Sequence, residues 1–361
     1  MRPAPLNDFE AQSAAYHDAS PKVNGSGEDP QEMLTSGEVY AAMTSQDWGK
    51  LGHAESDIVA ATDDRKKMNL RAAALLEHHL DRVIKKRDPN AGISLSTRIQ
   101  LNKFVAAVSL SYNDAKFHSY SHAIHVTTSM NALLSFALTD DPLRSLSLVF
   151  SALLHDAGHT GEIALRNVLL LVHIVFGDEF ITHPHSLFCT GMSNKILCDT
   201  GHHLCEKFQK DVPIAERNSI DIGLSILFRP EYQSLKEAII PDEIDKIQFG
   251  RTLFQCILIT DIASPENVNL SIRRFKVSQE VSHPLAADLC PIAHYISDIF
   301  DGMGLAEDVA VRYPEELVIT RIGLKNCARN EHLMLLSDVA HLLQGWENFV
   351  KWNFRLCECE I

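Results

Sequence analysis

From about residue 64 onward, apolar residues recur three or four positions apart, a spacing that commits the chain to helices. Ala72, Leu76, Leu80 and Val83 form one stripe, and Leu101, Phe104, Val105 and Val108 a second. Leu146, Val149 and Leu153 repeat the pattern, as do Ile220, Leu224 and Leu227, and then Leu335, Val339, Leu342, Trp346 and Phe349. A period of 3.6 puts each set on one helix face, and no stretch alternates apolar and polar residues long enough for a strand. The spacing therefore predicts an all-α domain, a bundle or array of helices in which any site is built from inward-facing side chains. The basic run Lys85-Lys86-Arg87 suits the C-terminal end of the first helix, where cations meet the negative end of the dipole.

Residues 1–63 mix Ser, Gly, Pro, Asp and Glu with few large apolar residues and read as a disordered tail. Residues 64–361 are then one principal domain, for which a chain of 361 residues with 45% apolar content is long enough. Thirty-three basic against 47 acidic residues leave a net charge of −14, which repels phosphate backbones and argues against a nucleic-acid partner. Eight cysteines without a regular framework fit a reducing, cytoplasmic setting. The longest apolar stretch, Ile163 to Phe176, contains Arg166, Asn167 and His173. It is shorter than the roughly 20 residues of a membrane-spanning helix, so no membrane span is expected.

Chemistry concentrates in two histidine clusters. The first reads Phe117-His118-Ser119-Tyr120-Ser121-His122-Ala123-Ile124-His125-Val126, and the second His155-Asp156-Ala157-Gly158-His159-Thr160-Gly161. An adjacent His-Asp pair at the end of an apolar helix offers a metal one neutral nitrogen and one carboxylate able to bridge two ions. His159 follows one turn on. The alternative for His155 and His159 alone is an i,i+4 pair satisfied inside a core.

Taken together, the clusters resemble the signatures of the class I 3′,5′-cyclic-nucleotide phosphodiesterases, Tyr-His-Asn-x-x-His-Ala-x-Asp-Val and His-Asp-x-x-His-Pro/Thr-Gly-x-x-Asn. The resemblance implies an HD-like, multi-helix fold and hydrolysis of cAMP or cGMP to the nucleoside 5′-monophosphate in signal transduction. It implies two divalent cations, Zn2+ at the tighter site and Mg2+ or Mn2+ at the second, in keeping with donor chemistry. By the same resemblance His118 is the general acid, and His122, His155, Asp156 and Asp338 are metal ligands, with Asp156 bridging. Asp338 stands in Ser337-Asp338-Val339-Ala340-His341, which resembles a motif near the start of a late helix. Glu216, in Ala215-Glu216-Arg217-Asn218-Ser219, and Asp261, in Ile259-Thr260-Asp261, join His159 as residues around the second metal and its water. Asn194 and His341 are expected at the substrate.

The chain departs from the pattern in several places. The Asn expected three residues after Gly161 is absent there, whereas Thr190-Gly191-Met192-Ser193-Asn194 supplies one. Deleting residues 161–190 restores the motif, so this segment reads as an insertion. A retained intron translated in frame and a genuine insertion are both open, and its His183, His185 and Cys189, with Cys198, match no closed zinc pattern. Phe117, Ser119 and His125 replace the usual Tyr, Asn and Asp, and His341 stands where many relatives carry Asn. Loss of such orienting hydrogen bonds costs about 10- to 100-fold in metal affinity or activity. The resemblance places a base-gripping glutamine and a stacking aromatic beyond Ile361, leaving the nucleotide pocket incomplete in this chain. The pattern Trp346-x-x-Phe349 with Trp352 reads as core packing, and Cys357 and Cys359 as tail residues. Two other readings share these residues: a different HD-type metal phosphohydrolase, against which His118-x-x-x-His122 argues, and a catalytically impaired relative acting through interactions. A homodimer, or regulatory domains in a longer parent, is also left open.

Overall fold

The computed structural model describes residues 65–113, 117–136, 141–159, 194–208, 213–279 and 321–360, all within the unit Ser36–Ile361. In chain order the helices are α1 (Arg65–Arg87), α2 (Leu95–Leu110), α3 (Tyr120–Phe136), α4 (Pro142–Leu154), α5 (Asn194–Asp199) and α6 (His203–Phe208). They continue as α7 (Ile214–Leu227), α8 (Gln233–Ile239), α9 (Glu243–Leu258), α10 (Pro265–Gln279), α11 (Arg321–Asp338) and α12 (Trp346–Glu360). Among the described residues there is no strand, as the periodicity predicts. The expected tail 1–63, the insertion 161–190 and the apolar stretch Ile163 to Phe176 lie outside the described residues. No described helix is long and apolar enough to cross a membrane.

Helix α4 is the axis of the domain. Asp141 caps it by accepting from Leu143 N at 3.2 Å, and Pro142 supplies the pre-set first turn. Its later residues are buried on all sides, which a helix tolerates only when its polar atoms are satisfied locally. The hydroxyls of Ser147 and Ser151 do this by donating to Leu143 O at 2.7 Å and Ser147 O at 2.8 Å. Helices α1, α3 and α9 pack against it. Phe150 of α4 meets Phe104 of α2 and Phe249 of α9, with ring centroids 5.4 and 5.5 Å apart. The stripes predicted on α1, α2, α4 and α7 all turn into this core.

The late segment differs from its predicted pattern. Leu335 to Phe349 was expected as one continuous stripe, but α11 stops at Asp338, a 3-10 turn covers Ala340–Leu343, and α12 starts at Trp346. The break rotates the faces: Leu342 and Trp346 are exposed, while Met334, His341 and Trp352 are buried. Of the terminal aromatics, Trp352 is thus core, and Trp346, 75% exposed, is not. Asp338 ends a helix instead of starting one. Cys357 and Cys359 lie in the last turns of α12 and not in a tail.

Helix α11 packs on α3, α9 and α10. A buried ion pair, Arg274 Nη2 to Glu331 Oε1 at 2.5 Å, and the Ser271 hydroxyl donating to Glu331 Oε2 at 2.9 Å fix its register against α10. The Gln255 amide of α9 donates to Cys327 O. These ties set where the last residue of α11 falls.

The turn after α4 is held just as firmly. Gly158 has φ 69, a left-handed conformation natural to glycine, and its N–H donates to Ser111 O at 2.9 Å. A Cβ there would lie 2.2 Å from Ile222 Cδ1 and 3.0 Å from Asn218 Nδ2. The isoleucine tip can swing away, but the backbone strain cannot. Gly158→Ala is expected to lower the unfolding free energy by about 1 to 3 kcal/mol, read from the urea midpoint; an unchanged midpoint contradicts this account of the turn.

Candidate metal centre

Three elements bring the predicted ligands together. Helix α3 supplies His122 from its first turn, the turn after α4 supplies His155 and Asp156, and the end of α11 supplies Asp338. His122 Nε2 lies 2.9 Å from Asp338 Oδ1 and 3.9 Å from Asp156 Oδ2. His155 Nε2 lies 3.1 Å from Asp156 Oδ2 and 3.5 Å from Asp338 Oδ1, without the alignment of a hydrogen bond. The turn owes its position to distant residues: Tyr112 Oη donates to Leu153 O at 2.6 Å, Ser219 Oγ to Ala157 O at 2.8 Å and Asn113 Nδ2 to His159 O at 2.8 Å. None of these pins was singled out in the sequence.

His155 is oriented as a ligand should be. Its Nδ1 donates to Ala152 O at 2.9 Å, which leaves Nε2 as the nitrogen that faces the carboxylates. Asp156 Oδ2 is buried with no hydrogen-bond partner among the described residues. Ligand atoms of His122, His155 and Asp156 all lie within 4.8 Å of one another, and so do those of His118, Asp156 and His159. Asp156 therefore belongs to both groups. Orphaned inward atoms and a mixed imidazole and carboxylate donor set fit divalent cations.

The charges interlock. Burial alone would raise Asp156, yet the imidazoles of His155 and His118 hold it well below the usual carboxylate range. Burial likewise opposes ionisation of Asp338, but the hydrogen bond with His122 and the nearby His155 imidazole keep it low. For His155, burial pulls downward and the two carboxylates outweigh it, holding the ring well above the usual histidine range. His122 goes the other way, because burial lowers it more than Asp338 raises it. Two carboxylates thus face one protonated imidazole, a proton that a bound cation would have to displace.

His118 is half-buried and stacks on His159, with ring centroids 4.1 Å apart and planes 10° apart. Burial and the neighbouring His118 push His159 down to about 3. Behind them, Asn194 Nδ2 donates to Glu216 Oε2 at 2.8 Å and to Asp261 Oδ2 at 3.0 Å, while its Oδ1 accepts from Ala215 N at 2.9 Å. Expected at the substrate, Asn194 has its amide engaged with the protein, joining Glu216 and Asp261 and holding the first turn of α7. Burial and Asp261 together push Glu216 up to about 8, and burial raises Asp261.

His341, also expected at the substrate, is buried among Phe117, His125 and Trp352, at centroid distances of 5.8, 6.3 and 6.4 Å. Phe117 packs on His122 at 4.4 Å. Ser119 Oγ lies 2.9 Å from Ser121 Oγ, and the side chains of His125 and Gln344 are hydrogen-bonded. His183, His185 and Cys189 lie outside the described residues, and Cys198 is a free, partly buried thiol.

No family model matches this sequence, and no curated protein matches it at a significant level. Solved structures do. The phosphodiesterase domain of the RhoPDE fusion protein from the choanoflagellate Salpingoeca rosetta is 15% identical, over 81% of this chain and 68% of that one, with a TM-score of 0.51. A second structure, of the phosphodiesterase domain of the Salpingoeca rosetta rhodopsin phosphodiesterase, is 16% identical, over 81% and 66%, with a TM-score of 0.51. LmjPDEB1, solved in complex with IBMX, is 14% identical, over 92% and 76%, with a TM-score of 0.53. The chain spans between 66% and 76% of the length of these neighbours. At such identities the likeness establishes the fold, an all-helical phosphodiesterase-type domain.

Proposed function

We propose that this domain is a metal-dependent phosphodiesterase that opens 3′,5′-cyclic nucleotides, cAMP or cGMP, to nucleoside 5′-monophosphates. The observation that carries the reading is that Asp156 belongs to one donor group with His122 and His155 and also lies beside His159 in a second. A carboxylate shared in this way is what two adjacent cations require. His122, His155, Asp156 and Asp338 would hold the tighter cation, for which nitrogen and oxygen donors suit Zn2+. Asp156 would bridge to the second, Mg2+ or Mn2+, with His159, Glu216 and Asp261 around its water. When bound, the pair supplies neutralisation of the phosphoryl oxygens and a nucleophilic hydroxide at neutral pH.

The remaining chemistry belongs to the chain. His118, half-buried at the edge of the cluster, would hand a proton to the departing O3′ oxygen, a contribution of about 100- to 10,000-fold for a positioned acid. His159, stacked beneath it and held neutral by its burial, keeps that ring in one plane without adding a competing charge. Asn194 bridges Glu216 and Asp261 and so fixes their spacing behind the site.

The test is hydrolysis of cAMP and cGMP with added Zn2+ and Mg2+, followed by chromatography of the products. It is run on the chain as it stands and on a form lacking residues 161–190. Nucleoside 5′-monophosphate released by either form, and abolished by a chelator, is expected. Turnover by neither form overturns the reading in favour of an inert, interaction-only relative, and release of inorganic phosphate from other esters favours a different HD-type hydrolase.

A further inference from the structure

The two histidines of the cluster are held in different ways. His155 has the usual arrangement, its Nδ1 donating to Ala152 O. His122 lacks it: its Nδ1 is buried with no hydrogen-bond partner among the described residues. A ring free to turn about χ2 would swing Nε2 away from Asp338 and Asp156. Its Nε2 does meet Asp338 Oδ1 at 2.9 Å, the contact a bound cation would take over, so the ring needs a second restraint.

Packing against two aromatic rings supplies it. Phe117 lies against the ring at a centroid distance of 4.4 Å, with planes 36° apart. Trp352 of α12 adjoins the ring at 5.4 Å, 60° to the imidazole plane, and also meets Phe117 edge-on at 6.0 Å and His125 at 5.3 Å. Trp352 is fully buried, and Arg355, one turn on, holds it in place. The guanidinium sits 5.0 Å over the indole and donates through Nη1 to Ser121 Oγ at 3.2 Å, so α12 is tied to the first turn of α3 beside His122. A rigid indole with two torsions costs little entropy to immobilise and leaves the imidazole one orientation.

We infer that Trp352 is a positioning residue for His122, aiming its Nε2 at the carboxylates by packing where a hydrogen bond is absent. This rests on the reading of His122 as a cation ligand. The indole N–H makes no hydrogen bond among the described residues, so its action passes through packing on the imidazole ring.

The test is Zn2+ titration by calorimetry on chelator-treated protein, paired with the ring-nitrogen NMR signals of His122 and with melting temperatures. Trp352→Leu is expected to weaken Zn2+ by about 10- to 100-fold, the scale of other losses around metal ligands, and to give His122 a mixture of tautomers in place of one. Trp352→Phe, which keeps a flat ring, restores affinity to within about threefold of wild type, well under the tenfold lower bound. Trp346→Leu, on the exposed side of the same helix, changes nothing. A Trp352→Leu protein that is less stable yet binds Zn2+ like wild type, with an unchanged His122 spectrum, shows a merely structural tryptophan and overturns the inference. Should that variant not fold, Arg355→Met decides, since it keeps the indole but removes its anchor: weaker Zn2+ binding supports the proposal, and unchanged binding overturns it. Wild-type protein that binds no Zn2+ at all overturns the cation reading itself, and the inference with it.

Discussion

Asp156→Asn is expected to lower kcat/KM for a cyclic nucleotide by three to four powers of ten, because a metal-bridging carboxylate underlies several kcal/mol of charge stabilisation and each tenfold is about 1.4 kcal/mol. The substitution is nearly isosteric, so the turn at Gly158 and the helices that pin it stay in place. What disappears is the negative charge shared by the two donor groups. The same loss has a signature independent of turnover. A cation that binds only the folded state stabilises it by about 2.7 kcal/mol at 100 times its Kd, and the wild-type melting temperature should rise accordingly with Zn2+. Asp156→Asn should show no such rise, while its metal-free stability stays near that of wild type. Retention of kcat/KM within a few-fold, or an intact Zn2+-dependent shift, would remove Asp156 from the chemistry.

Some of this was legible in the residues and some could not be. The helices read out well because their apolar faces are strongly periodic: Ala72, Leu76, Leu80 and Val83 mark α1, and Leu146, Val149 and Leu153 mark α4. His155 and Asp156 were readable because they are neighbours at the end of the most apolar of these helices. The late break was not, since apolar residues happen to continue at helical spacing across it. Gly345, just before α12, was the available warning. Asp338 could be named from its motif but not placed at a helix end, which depends on the Arg274–Glu331 pair and on Gln255, contacts that join residues far apart in the chain. The roles of Tyr112, Ser219 and Trp352 were hidden for the same reason. Each acts on the site through a partner at least 41 positions away, and periodicity carries no record of such pairs. The replacements at 117, 119 and 125 hinted that His122 had lost a hydrogen bond, without saying what holds it instead.

Measured against a Glu216→Gln variant, chelator-treated wild-type protein should lose stability as pH rises from about 4.5 to about 8, and the Glu216 carboxyl is the cause. Burial and the nearby Asp261 push its carboxyl up to about 8, against an ordinary value of 4.5. Between those limits the folded chain keeps a proton that the unfolded chain has released. The number of protons bound is then smaller in the unfolded state, and the unfolding free energy declines with pH. Across the window this amounts to roughly 3 to 5 kcal/mol, at about 1.4 kcal/mol per pH unit and with allowance for the partial exposure of the residue. Asp261, also raised by burial, adds in the same direction at the acid end. Glu216→Gln keeps an acceptor for Asn194 Nδ2 and carries no proton to lose, so its urea midpoint should gain on the wild-type value as pH rises over this range and should exceed it near pH 8. Saturating Mg2+ should flatten the wild-type slope, because a cation beside Asp156 favours ionised carboxylates around it. An equal slope in wild type and Glu216→Gln would mean that the acidic wall behind the cluster is already ionised, and that Asn194 holds two full charges apart.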